Sequence, residues 1–511
     1  MRYLQIDRQR RAARRRVHYS SVLSGTALLL GPLAGTTAVW ADDPIFPYIP
    51  SNPNNDPDYY DITNPQYGGS TSASAATNAA AINAALNACS TAGGGTVVIP
   101  AGIFQCAPMS LNGLSNVNLQ VDGTLQAPDM ADFGSNPAGS YYIYWKYAYN
   151  DMLSGSGTID GNGASWSGSS SKPKFINFSN GQVVAVENLH VQNTPKEGFT
   201  FSGSQTADVT FDGVTVFNPS NSPNTDGIDP NGNNILIENC NVSTGDDDIA
   251  LKCSPSNVQN GCNNIRITNC TFGYGHGLSI GGQTNMGLTN MTVTNCTFTN
   301  TNYGFRLKAG KGNGGVVKNV TFSNCTMTNV STAIVINSWY DSGDHYGHNE
   351  WPPNGFLHGL ANPKDPSVTV DEVNNTDAYP FFDNISFSNI NATCAGNYNV
   401  AIIYGLNSTP ADSTDQPPRN IDSISFSNVN LIGDPSGSWG ADIYYASNLD
   451  LSGLNVTATN SPNFEEYGDT FVPEPATASV ALLGWAGLLL CRQRRKPAHA
   501  PVPLSSHTAS G

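Results

Sequence analysis

A short phrase recurs through the middle of the chain. IENCNV, ITNCTF, VTNCTF and FSNCTM place cysteines at 240, 270, 296 and 325. VENLHV and FDGVTV carry the equivalent phrase around Leu189 and Val214, and FSNINA and FSNVNL carry it around Ile390 and Val429. The steps are 25, 26, 30, 26, 29, 65 and 39 residues. A constant phrase at uneven intervals is what a coiled solenoid yields when loops of different length leave each turn. β-Branched and aromatic residues alternate with Ser, Thr and Asn, as strands require. The pattern predicts an all-β chain, a single-stranded right-handed parallel β-helix of about ten coils over residues 70–470. Two packed β-sandwiches would explain the phrase poorly. Asn side chains should stack into ladders, and Cys240, Cys270, Cys296 and Cys325 should fill the core as free thiols. The Ala-rich segment after Ser74 reads as a short helix capping the N-terminal edge, which would otherwise be free to pair with other chains. Residues 42–69 read as an exposed linker and 340–380 as a long excursion.

The two ends differ from this body. Residues 1–16 hold seven arginines, an apolar stretch runs from about Val22 to Val39, and Ala41 precedes Asp42-Asp43. A basic head, an apolar centre and a small residue at the break read as a signal peptide over 1–41. At the other end Val472-Pro473-Glu474-Pro475 is followed by an uncharged run from Ala476 to Cys491, then by Arg492, Arg494, Arg495 and Lys496. That order resembles the PEP-CTERM sorting tail of Gram-negative bacteria. The resemblance implies a short transmembrane helix within 471–511, handling by an exosortase, and delivery to the cell surface or beyond. The two ends hold 11 of the 23 Lys and Arg but only Asp7 and Glu474 of the 39 acids. The body between them therefore carries 12 basic against 37 acidic residues, a net −25. So acidic a body excludes nucleic acid as a partner, and an anionic ligand must be held by a few local cations. Nothing calls for a second subunit, and a monomer is expected. Cys253 and Cys262 are spaced to close a short loop in an oxidising compartment.

Four stretches break the bland pattern, each about one coil after the last. NTDGID brings Asn224 and Asp226, GDDD brings Asp246, Asp247 and Asp248, GHGLSIGG brings His276, and FRLKAG brings Arg306 and Lys308. Residues one coil apart stack on one face at about 4.8 Å, so the four stretches should converge on one patch. Paired carboxylates suit glycoside hydrolysis, one protonating the leaving oxygen while the other activates water. Arg306 and Lys308, two apart on a strand, point the same way and suit a carboxylate on the substrate. For Asp246 and Asp247 to reach one cleft, Gly245 must let the backbone kink.

These stretches resemble the four signatures of the polygalacturonase family, the family 28 glycoside hydrolases. They stand here as Asn224-Thr225-Asp226, Gly245-Asp246-Asp247, Gly275-His276-Gly277 and Arg306-Leu307-Lys308. AGGGTVVIPAG at 92–102 and GSGTIDGNG at 155–163 resemble the family's N-terminal coils. The resemblance implies inverting, metal-independent hydrolysis of α-1,4-galacturonosyl linkages in pectin or polygalacturonate, with no cofactor. By position it implies Asp246 as general acid, Asp226 and Asp247 as activators of water, and His276 as the group that keeps the acid's protonation right. Asn224, Arg306, Lys308 and Tyr340 would bind substrate. The family usually has Cys where Asp248 stands. A pectate lyase, a rhamnogalacturonan or xylogalacturonan hydrolase, and a non-catalytic surface solenoid remain as rival readings.

Overall fold

Asparagine is what turns the chain at each phrase. The computed structural model describes residues 43–50, 60–133, 140–254, 261–310, 314–338, 340, 380–405, 421–460 and 463–467. In it Asn188, Asn239, Asn269, Asn295, Asn324, Asn389 and Asn428 all adopt left-handed backbone, with φ between 52° and 56°. Asn enters this region at lower cost than other side-chain-bearing residues, and Gly213 takes the same place in FDGVTV at φ 67°. Each of these residues bends the chain into its next strand. Their side chains also link coils: Asn389 Nδ2 donates to Asn324 Oδ1 at 3.0 Å, and Asn428 Nδ2 to Asn389 Oδ1 at 2.9 Å.

The residue after each bend points inward. Cys240, Cys270, Cys296 and Cys325 are buried free thiols, and the register places Ile390 on Cys325 and Val429 on Ile390. Burial pushes Cys89 and Cys106 up to about 12, which leaves these thiols inert. Aromatic rings stack along the same interior, as in Trp145–Phe178 (5.6 Å) and Phe178–Phe201 (5.5 Å).

Among the described residues the strands form two ladders, one of twenty-one strands and one of twelve. All the strand pairings among the described residues are parallel, so the chain returns to each ladder through a crossover, and such crossovers are right-handed. The architecture is a right-handed parallel β-helix. Twelve strands, rather than about ten, line the shorter ladder, because coils before residue 180 are built without the recurring phrase. Eight consecutive strands of this wall carry the functional face: β1 (Tyr141–Lys146), β2 (Lys174–Ser179), β3 (Phe199–Ser202), β4 (Ile228–Asp229), β5 (Ile249–Leu251), β6 (Leu278–Gly282), β7 (Tyr303–Ala309) and β8 (Thr332–Asn337). Tyr144, Asn177, Thr200 and Asp229 are in register on β1–β4, and Ala250, Ser279, Arg306 and Val335 on β5–β8. The pairing of Ile228 with Ile249 joins the two runs into one column.

Helix α1 (Ala75–Thr91) starts at Ser74, whose side chain accepts from the Thr77 N–H, and buries Ile82, Ala85, Leu86 and Cys89. Its buried Asn78 donates to the Gln105 carbonyl at 2.9 Å, fixing the helix to the first coils as the expected cap. The expected linker differs from its reading. Tyr60 and Ile62 are fully buried, and the Ile62 N–H donates to the Val98 carbonyl at 3.1 Å. Upstream, Asp43 pairs with Arg266, Ile45 N–H with Asp208 and Tyr48 N–H with Asn150. Residues 43–50 thus lie across successive coils, because side chains at the strand starts offer them backbone partners. The calls on 1–41, 341–379 and 471–511 fall outside the described residues. Among the described residues, no helix is long and apolar enough to cross a membrane.

If the left-handed bends set the coil, Asn269→Val should lower the denaturation midpoint by the equivalent of about 1–2 kcal/mol, while Asn269→Gly should leave it nearly unchanged. Equal losses in both variants, measured by urea titration, would mean that the side-chain ladder and not the backbone conformation matters at the bend.

Candidate active site

Glycines decide how closely the coils approach here. Gly275 and Gly277 take left-handed φ of 58° and 69°. A Cβ on Gly275 would press on the Asp246 carbonyl and the Asp248 carboxyl, and one on Gly277 on the Tyr303 carbonyl. Gly245 serves differently from the kink expected of it. Its φ is not left-handed, and it is required because a Cβ would run into the Ser222 carbonyl. The Asp246–Asp248 triplet lies in the bend before β5, not on the strand, so strict alternation does not govern where the three side chains point.

The triplet splits into three environments. Asp248 points inward, is fully buried, and accepts from the Gly277 N–H at 3.1 Å, with Thr244 Oγ1 also at 3.1 Å. Burial pushes its carboxyl well above the ordinary range, against those hydrogen bonds. Asp247 is also buried, and burial opposes its charge, but Lys308 and Arg306 hold it well below the ordinary carboxylate range. Lys308 Nζ lies 3.1 Å from Asp247 Oδ2, while Arg306 Nη2 and Ser279 Oγ (2.8 Å) donate to Oδ1. Asp246 is more open. Burial raises it, yet the hydrogen bond from His276 brings it below its usual value. His276 Nδ1 stands 3.1 Å from Asp246 Oδ1 and 3.5 Å from Asp247 Oδ1. Burial disfavours the imidazolium, and the two carboxylates outweigh it, raising His276.

Asp226 comes one coil earlier and is buried. Its Oδ2 meets Lys252 Nζ at 2.6 Å, and so does Asp229 Oδ2. Burial pushes both carboxyls up despite the shared ammonium, and the nearby Asp246 and Asp247 charges add to the rise at Asp226. Asn224, expected to bind substrate, donates its backbone N–H to Asp246 Oδ2 at 3.0 Å, with its side-chain Nδ2 at 3.5 Å. Tyr340 lies under Lys308 at 4.8 Å, and Arg306 covers the Tyr303 ring at 4.3 Å. Beside the two cations is a cavity of about 190 Å³ lined by Tyr303, Tyr340, Tyr398, Asn337, Val335 and Ile402.

The eight residues singled out in the sequence thus gather on one outer face, across five coils, with Tyr340 on the fifth. Sequence reasoning missed Lys252, Asp229, Ser279 and Tyr303. Lys252 ends the stretch that starts with the triplet, and Asp229 lies three residues past Asp226. Both were visible, but only the register turns them toward each other.

Asp246, Asp247 and His276 each offer an atom within 4.8 Å of the others', a set that can also hold a cation. The donor chemistry fits poorly, since both Asp247 oxygens already receive donors and two fixed positive charges flank them. A divalent ion would meet those charges at close range.

Known proteins resemble this chain in sequence and in fold. The family model described as glycosyl hydrolases family 28 matches residues 89–352. An endo-polygalacturonase from Pectobacterium carotovorum subsp. carotovorum is 32% identical over 315 residues, covering 55% of this chain and 76% of that protein. A polygalacturonase from Medicago sativa is 34% identical over 208 residues, covering 38% of this chain and 47% of its own length. Among solved structures, the polygalacturonase from Erwinia carotovora ssp. carotovora superposes with a TM-score of 0.56 at 25% identity, over 80% of this chain and 98% of that one. With the family model spanning more than half the chain, this protein belongs to the family 28 glycoside hydrolases.

Proposed function

We propose that this enzyme hydrolyses α-1,4-galacturonosyl linkages in pectin or polygalacturonate, with Asp246 as proton donor and water as the nucleophile. The observation that carries the reading is the meeting of Asp246, Asp247 and His276 beside Arg306 and Lys308 on one exposed wall. In a body with so few basic residues, two cations in one cavity favour a uronate next to the cleaved bond. Asp246 protonates the glycosidic oxygen as the bond to C1 breaks. Water attacks C1 from the other side and gives its proton to the Asp226/Asp247 side, and the product leaves with inverted configuration.

His276 solves the difficulty that an acid with a lowered pKa is a poor donor. Its raised pKa keeps a proton 3.1 Å from Asp246 Oδ1, so the pair shares one proton and titrates as a unit. The nearest Asp246 and Asp247 atoms fall within 4.8 Å, less than the roughly 6.5–9.5 Å usual between the two carboxyls of an inverting pair. In the inverting reading the water therefore lies toward Asp226, one coil away. The lyase reading is disfavoured by the cations that flank Asp247. Export is supported by the Cys253–Cys262 disulfide, which suits an oxidising compartment. A signal peptide over 1–41 and a sorted tail over 471–511 rest on the sequence pattern.

Three results test this reading. Wild-type protein should release reducing ends from demethylated polygalacturonate, unaffected by chelator and without an unsaturated product, and Asp246→Asn should lower turnover about 100- to 10,000-fold. Unchanged turnover in Asp246→Asn would leave the solenoid as a non-catalytic surface protein. Proton NMR of the first product should show the β-anomer; the α-anomer would make a carboxylate the nucleophile. The pH profile should reveal the shared proton. In wild type the alkaline limb of kcat/KM should lie above about 6.5, because His276 is raised. In His276→Asn only a carboxyl holds the proton, so the limb should move down by about one unit or more.

A further inference from the structure

Five of the twelve basic residues between positions 42 and 471 stand along this one wall: Lys146, Lys174, Lys252, Arg306 and Lys308. Three of them meet the carboxylates of the candidate active site, but Lys146 is far from it. It ends β1, four coils before β5, at about 19 Å by the usual strand spacing. Its Nζ lies 4.6 Å over the Tyr144 ring, and Lys146 pairs with no carboxylate among the described residues. Tyr144 is stacked in turn on Tyr141, with centroids 4.6 Å apart.

The register gives this group its meaning. Tyr144 stands in the column that runs through Asn177, Thr200 and Asp229 toward Arg306. Lys146 stands two residues along, in register with Ser179 and Ser202. Between the distant group and the site, these two columns therefore carry short polar side chains, with Lys174 beside them in register with Tyr141. They are tied to one another: Asn177 Nδ2 donates to Thr200 Oγ1 at 2.9 Å, and Ser202 Oγ to Asn177 Oδ1 at 3.1 Å. The result is a low polar floor ending in two stacked rings and an ammonium. Beside this floor Lys174 and Lys196 flank Glu197 at 3.2 and 3.6 Å.

We propose that Tyr141, Tyr144 and Lys146 form a distal subsite for one hexuronosyl unit of a chain bound across the candidate active site. The sugar face lies on a tyrosine ring, and its carboxylate meets the Lys146 ammonium. A hexuronosyl unit is close to one coil step in length, so the subsite lies about four units from the cleaved bond. It reads the far part of a long chain and makes affinity depend on length. This proposal rests on the galacturonan reading above.

The test compares binding of a galacturonate octamer and a trimer to the full chain carrying Asp246→Asn, with and without Lys146→Ala, by calorimetry. The octamer Kd should rise about tenfold on loss of Lys146, the trimer Kd should hold, and Lys146→Arg should restore most of the loss. Tyr144→Ala should act in the same direction. An octamer Kd unmoved by Lys146→Ala, or an equal rise for both lengths, overturns the subsite alone. An octamer that binds neither form overturns the subsite together with the substrate reading.

Discussion

Coil-to-coil register is the constraint on which everything else in this molecule depends. A parallel ladder fixes each residue of a strand over one residue of the next, about 4.8 Å away. Asp229, Ser279 and Arg306 come from segments tens of residues apart, and only this pairing places them on one face. The left-handed Asn at each bend sustains the register. From Asn188 to Asn428 it, or Gly213 in its place, turns the chain at the same point of each coil, whatever loop length intervenes, so the 65-residue step from Cys325 to Ile390 leaves these two residues paired.

On that frame, three consecutive aspartates can coexist because each meets a different environment. Asp248 is buried and pushed toward its neutral form, Asp247 is buried and clamped between two cations, and Asp246 is half-open and hydrogen-bonded to His276. Like-charge repulsion is relieved by protonating one acid and neutralising another. The carboxyl of the triplet left facing outward is that of Asp246. The Lys252 ammonium repeats the logic a coil earlier, taking two buried acids at once.

Much of this was legible in the chain. The recurring phrase revealed the coil and its inward cysteines, and the four short motifs at coil spacing revealed which residues share one face. The rest was hidden for identifiable reasons. Asn224 acts on Asp246 mainly through its backbone N–H, which no side-chain pattern reports. Ser279, lying between Asp247 and Arg306, is an ordinary strand residue in sequence. Tyr60 and Ile62 looked like linker because Pro, Asn and Asp surround them, yet a first coil must cover its open edge with something apolar. Gly245 suggests a backbone kink in sequence, whereas crowding by the Ser222 carbonyl explains it.

The proposed function requires that successive coils present one sugar-binding and sugar-cleaving site. A crystal structure of the Asp246→Asn protein with trigalacturonate tests it most directly. It should place one uronate carboxylate within hydrogen-bond reach of Arg306 and Lys308, and the adjoining glycosidic oxygen beside residue 246. A trimer seated on another face, or one whose glycosidic oxygens all lie away from residue 246, would contradict it.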